Sequence, residues 1–136
     1  MKNLLLILFV CLGFMNMSAA QEPVYQLSSH ILDITTGKPA PNVKITLSKK
    51  GTGDQWVKVD EKFTDANGRV KDFLKQAGKS HVGIYKLTFY TSPYFTSLNQ
   101  KSFYPFVEVV FELVEDAHYH VPITLSPFGY ATYRGN

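Results

Sequence analysis

From Tyr25 onward the apolar residues of this chain recur at every second position, in short runs closed by turn residues. They recur almost nowhere at the three-to-four spacing of a helix. Alternation marks a strand that buries one face, because successive side chains leave a strand on opposite sides. The runs are YQLSSHILDI, VKITLSKK, WVKVDEKFT, RVKDFL, VGIYKLTFY, PFVEVVFEL, HYHVPITL and GYATYRG. Val43, Ile45 and Leu47 share one face of the second run, and Tyr85, Leu87 and Phe89 one face of the fifth. Val107, Val109, Phe111 and Leu113 do the same in the sixth. Seven or eight such strands without an internal repeat predict an all-β, two-sheet sandwich. TSPYFTSLNQ is the one stretch with room for a short helix. Asp65-Ala66-Asn67-Gly68 reads as a hairpin turn from which RVKDFL returns, since Asn and Gly accept positive φ.

The 136 residues suit one domain rather than two. Residues 1–20 stand apart: Lys2, an apolar run from Leu4 to Met15, then Ser18-Ala19-Ala20 ahead of Gln21. They predict a secretory signal peptide cleaved after Ala20, leaving a domain at residues 21–136. The apolar run is too short to span a bilayer. Cys11, behind bulky Phe9 and Val10, sits too early for a lipoprotein anchor. Cys11 is also the only cysteine. The exported domain is therefore expected to have no disulfide or thiol chemistry and to rely on its core and on oligomerisation. The periplasm is the expected destination, with no membrane attachment after cleavage. The formal net charge is +3, and Lys44, Lys49, Lys50, Lys58, Lys62, Lys71, Lys75 and Lys79 are scattered among apolar or acidic residues. Without a basic patch interleaved with aromatics, nucleic acid is not an expected partner.

Alternation also divides HYHVPITL. Tyr119, Val121, Ile123 and Leu125 turn to the core, while His118, His120, Pro122 and Thr124 turn outward. The two imidazoles thus meet water, a ligand or another subunit. Two histidines on one strand face could begin a zinc site, but a catalytic site needs a third protein ligand and an open position. Glu108 and Glu112 belong to another strand, so no metal is expected. His81, beside Lys79 and Ser80, reads as an ordinary surface histidine. Taken singly, His30 reads as a half-buried histidine and Arg69 as a solvated residue at a strand start. Tyr133 and Arg134 lie in a terminus of the kind that frays.

Taken together, S-S-H-I-L-D followed by G-K-P-A, then T-D-A-N-G-R, G-I-Y-K-L and H-Y-H-V-P-I-T-L-S-P-F-G-Y-A-T-Y-R-G, resemble the hydrolase side of the transthyretin-related family. The resemblance runs from about Gln26 to Asn136. It implies a transthyretin-like sandwich of about eight strands with one short helix. It further implies a homotetramer, a dimer of dimers, with active sites in the channel at the dimer–dimer interface. The implied reaction is hydrolysis of 5-hydroxyisourate, the product of urate oxidation, to 2-oxo-4-hydroxy-4-carboxy-5-ureidoimidazoline. An amide-like C–N bond opens, with no metal or organic cofactor. The implied catalytic residues are His30, Arg69 and His120. The terminal Tyr133, Arg134 and Gly135 are implied to line the substrate site, with Asn136 where the family usually has serine. His118 falls at the site's edge. The alternative is a carrier of a small ligand in the same channel. The family's hormone carriers, however, have replaced the two histidines and the arginine and lack the Tyr-Arg-Gly ending.

Such a reaction needs an activated water, an electrophilic carbonyl and stabilisation of an oxyanion. His30 or His120 is the natural general base, since imidazole titrates nearest neutrality. Arg69 offers a permanently charged, planar fork of donors for an oxidised purine. Tyr133 and Arg134 can hydrogen-bond the substrate's other edge. No serine or cysteine has an evident activating partner, so water is expected to attack directly.

Overall fold

In the computed structural model, residues 21–136 are described, apart from Pro23. The expected signal peptide lies outside the described residues. The alternating runs become strands: β1 (Tyr25–Asp33), β2 (Lys38–Pro39), β3 (Lys44–Lys50), β4 (Trp56–Phe63), β5 (Arg69–Lys75), β6 (Gly83–Phe89), β7 (Val107–Leu113), β8 (Tyr119–His120), β9 (Ile123–Ser126) and β10 (Gly129–Thr132). The helix α1 (Ser92–Ser97) falls in the stretch with room for one, with a proline in its first turn. Phe95 anchors it in the core, and the Tyr94 hydroxyl donates to buried Asp33 Oδ2 at 2.9 Å. That bond, together with burial, pushes the Tyr94 phenol up to about 12, burial being the larger cause.

Two sheets face each other. One runs β4-β3-β6-β7; the other runs β10-β9-β1-β2, with β5 and β8 also pairing β1. The first contributes Ile45, Leu47, Tyr85, Leu87, Phe89, Val107, Val109 and Leu113 to the core. The second contributes Leu27, Ile31, Val70, Phe73, Tyr119, Val121, Ile123 and Leu125. The residues of β3, β6, β7, β8 and β9 among them are those that alternation assigns inward, and their packing is what fixes the register of those strands.

Two sequence expectations fail. HYHVPITL is not one strand: the ladder stops after His120 and resumes at Ile123. Pro122 has no N–H to give. Across the gap, Val121 N–H donates to Ser28 O at 3.0 Å, and the Ser29 hydroxyl donates to Val121 O at 2.8 Å. The Asp65–Gly68 turn is not a hairpin either. It closes locally, with Gly68 N–H donating to Asp65 O and Asp65 N–H to Arg69 O, both at 2.9 Å. Yet β4 and β5 belong to different sheets, so the turn carries the chain across the sandwich. The reason is tertiary: only beside β1 can Val70 and Phe73 be buried against the core. Of the two turn residues, Gly68 alone takes positive φ, +69°. It also sits against β1, where a Cβ would stand 2.7 Å from Ile31 O.

Candidate active site

The site is built on β1. This strand turns Leu27, Ser29, Ile31 and Asp33 into the sandwich, which leaves Ser28 and His30 facing outward. Antiparallel β5 flanks it on one side. Its register runs Leu27↔Phe73 and then Ser29↔Val70, with a bulge between. An extra residue in one strand resets the alternation beyond it. Val70 and Phe73, three apart, can therefore both face the core, and Arg69 arrives as the Cα partner of His30. An unbulged ladder would set Val70 there instead. The Asp65 carboxylate steadies the start of β5, accepting from the backbone N–H of Asn67 at 2.8 Å and of Arg69 at 2.9 Å.

On the other side β8 runs parallel to β1, with Ser28↔His120 as Cα partners. Arg69, His30, Ser28 and His120 thus form one patch across three adjacent strands. His30 and His120 are half-buried and Arg69 is exposed. The Ser28 hydroxyl oxygen lies 2.8 Å from His120 Nδ1 and 3.0 Å from His118 Nε2. His118 Nδ1 lies 3.0 Å from the Tyr25 carbonyl oxygen. Sequence reasoning passed over Ser28, although its position two residues before His30 puts it on the same face.

The electrostatics suit proton acceptance. Burial lowers the His120 pKa first and the Arg69 charge second, with further lowering from the neighbouring His30 and His118 rings; a hydrogen bond toward the Ser28 backbone opposes them. His30 is lowered by burial and then by Arg69, against a hydrogen bond toward the Asn67 backbone and the charge of Asp65. Both imidazoles are therefore biased toward the neutral form, which can take a proton.

The C-terminal tail divides. Gly135 N–H donates to His120 O at 2.8 Å and forms a bridge with that residue. Asn136 follows, exposed. Tyr133 and Arg134 point elsewhere. The Arg134 guanidinium lies 4.7 Å from the centre of the Tyr119 ring, and Tyr119 faces the core. Both residues line a groove of about 490 Å³ beside Val110 and Glu112 of β7 and Val114 just after it, and no residue of the His30–Arg69–His120 patch lines it. Within one chain the structure thus brings together His30, Arg69, His120 and Gly135, and separates them from the side chains of Tyr133 and Arg134. His81 lies apart as well, its Nε2 3.0 Å from Lys75 O. Among the described residues, no three His, Cys, Asp or Glu side chains gather closely enough to hold a metal ion.

A family model described as the HIUase/Transthyretin family matches residues 27–135. A Caenorhabditis elegans protein named a probable 5-hydroxyisourate hydrolase is 45% identical over 124 residues, covering 90% of each chain. The solved structure of Klebsiella pneumoniae 5-hydroxyisourate hydrolase superposes with a TM-score of 0.69 at 34% identity, over 81% of this chain and 98% of that one. Transthyretin from Sparus aurata superposes with a TM-score of 0.76 at 30% identity, over 82% of this chain and 97% of that one. The backbone alone does not separate enzyme from carrier; the side chains on it must.

Proposed function

The chain belongs to the HIUase/transthyretin family, and from that premise we propose that it hydrolyses 5-hydroxyisourate on the outward face of β1, β5 and β8. The observation that carries this reading is the pairing of His30 with Arg69 on one sheet face that also holds His120. One neutral imidazole takes a proton from water, and the water oxygen bonds to the substrate carbonyl carbon. The C–N bond then breaks, and the proton passes to the leaving nitrogen. Arg69 holds the ring and balances charge on the oxygen of the tetrahedral intermediate. Gly135 and Asn136 border the pocket on the His120 side. Arg134 clasps the tail against Tyr119, and so holds Gly135 in place.

The reaction belongs to urate breakdown, with 5-hydroxyisourate as its substrate. The protein works as a homotetramer, a dimer of dimers. Two features support association. β7 and β10 are sheet edges that pair on one side only, and exposed edges are sites of strand addition. Apolar side chains stand on or near them, with Val114 64% and Phe128 73% exposed. The histidine face is open in one chain, and a symmetry-related subunit closes it. The Lys2 and Leu4–Met15 pattern supports export to the periplasm. The carrier alternative draws only on the shared backbone, and a charged, proton-accepting patch does not suit an apolar ligand. The decisive experiment generates 5-hydroxyisourate in situ and follows its ultraviolet decay with and without the protein. No acceleration would overturn the reading.

A further inference from the structure

His118 Nδ1 lies 3.0 Å from a backbone carbonyl, that of Tyr25, and its Nε2 lies 3.0 Å from the Ser28 hydroxyl. The same hydroxyl lies 2.8 Å from His120 Nδ1. A carbonyl oxygen can only accept, so His118 Nδ1 carries the hydrogen. In a neutral imidazole the other nitrogen is then an acceptor. His118 Nε2 therefore accepts the Ser28 O–H. With its single hydrogen committed to His118, Ser28 can only accept from His120, so the His120 hydrogen sits on Nδ1. Its Nε2 is left as the free lone pair. The geometry points to Ser28 and His118 as positioning residues that set the tautomer of His120 and present Nε2 as the base for water.

This inference rests on the reading that His120 serves hydrolysis, and it distinguishes the two histidines. The chain Tyr25–His118–Ser28–His120 has a fixed direction because a group at one end cannot donate. On the Nδ1 side His120 has a dedicated hydroxyl at 2.8 Å. The other charged or titratable groups that act on His120 are Arg69, His30 and His118. They lower its affinity for a proton without specifying which nitrogen holds the remaining one; the Ser28 hydroxyl does that, beside the hydrogen bond toward the Ser28 backbone. His30 has no such relay: the cause that raises its pKa most is a hydrogen bond toward the Asn67 backbone. Holding the orientation and tautomer of a catalytic imidazole through its second nitrogen is a recurring task of such partners.

The test reads the tautomer directly. Nitrogen-15 shifts of the His120 ring should report hydrogen on Nδ1 in the wild-type protein at a pH where His120 is neutral. Ser28→Ala and His118→Ala should move that hydrogen toward Nε2. They should also lower kcat on the order of tenfold, less than the ~10²–10⁴-fold worth of a general base, with KM little changed. Ser28→Thr, which keeps a hydroxyl, should restore both readouts. Hydrogen found on Nε2 in the wild-type protein would overturn the proposal, as would a Ser28→Ala protein with unaltered kcat. His120→Ala separates the two levels. If it hydrolyses at the wild-type rate, the functional reading of His120 fails, whatever the relay does. If it is inactive while Ser28→Ala and His118→Ala are fully active, only the relay fails.

Discussion

Gly135 carries no side chain where His120 comes closest: a Cβ there would stand 2.5 Å from His120 Cδ2 and 3.2 Å from Cβ and Cγ. The tail and the imidazole are thus packed as one object, joined also by the 2.8 Å bond from Gly135 N–H to His120 O. Gly135→Ala must displace either the ring or the tail. A shift of about 1 Å at a reacting group can cost ~10²-fold, so kcat should fall by roughly that much. Thermal unfolding should change little, because the tail is at the surface. Unchanged turnover would show that the contact does not position His120.

His120→Ala and His30→Ala should each fold and each lose about 10²–10⁴-fold in kcat, the usual worth of a positioned acid or base. Both side chains are half-exposed on the outer face, so neither leaves a cavity in the core. Circular dichroism and in situ ultraviolet decay of 5-hydroxyisourate separate folding from chemistry. Near-wild-type decay in either variant would remove that histidine from the mechanism.

Arg69→Lys should be a poor enzyme even though charge is kept, because an ammonium does not reproduce a planar fork. Arg69→Gln tests the electrostatics. Burial is the first cause of the low His30 and His120 pKa values and Arg69 the second. Removing the arginine charge should raise both values. A larger share of each imidazole is then protonated at a given pH, so the acid limb of kcat/KM should move to higher pH. An unmoved limb would contradict that coupling.

The same shifts make stability depend on pH. In the fold both imidazoles titrate below their ordinary value of 6.5. Above 6.5 folded and unfolded chains both carry neutral imidazoles, and the shift has no effect. As pH falls through 6.5 the unfolded chain binds protons that the folded chain refuses, so stability declines. Denaturant midpoints taken above and below that value should show the decline in the wild type and a smaller one in His30→Ala/His120→Ala. Equal slopes would exclude these histidines as its source.

Gly68→Ala should destabilise without touching the chemistry directly. The residue holds φ +69°, and a Cβ would meet Ile31 O at 2.7 Å and Pro39 Cβ at 2.9 Å. Positive φ in a non-glycine residue costs about 1–3 kcal/mol, and the clash adds to it. The melting temperature should drop by several degrees in scanning calorimetry. An unaltered melting temperature would mean that the turn relaxes freely.

Much of this protein is legible from residue order. The inward residues of β3, β6 and β7, the outward turn of His118 and His120, and the place of α1 all follow from alternation and local chemistry, because a strand's two faces are set by period alone. The resemblance joins His30, Arg69 and His120, which no local rule connects. Other features are long-range. The bulge in β5 that seats Arg69 opposite His30 exists because Val70 and Phe73 must both be buried against β1. The Asp65–Gly68 turn crosses between sheets, though its composition reads as a hairpin, because burial of the next strand outweighs local pairing. The split of the tail, Gly135 on His120 and Arg134 over Tyr119, depends on which strand face each residue meets. Ser28 gains its role only when parallel pairing brings β8 beside β1, more than ninety residues away. Sequence by itself determined that His118 and His120 turn outward. Only the tertiary structure decided which outward side chains meet, since strand order and register are chosen by the shared core, and the core forms only when distant segments pack together.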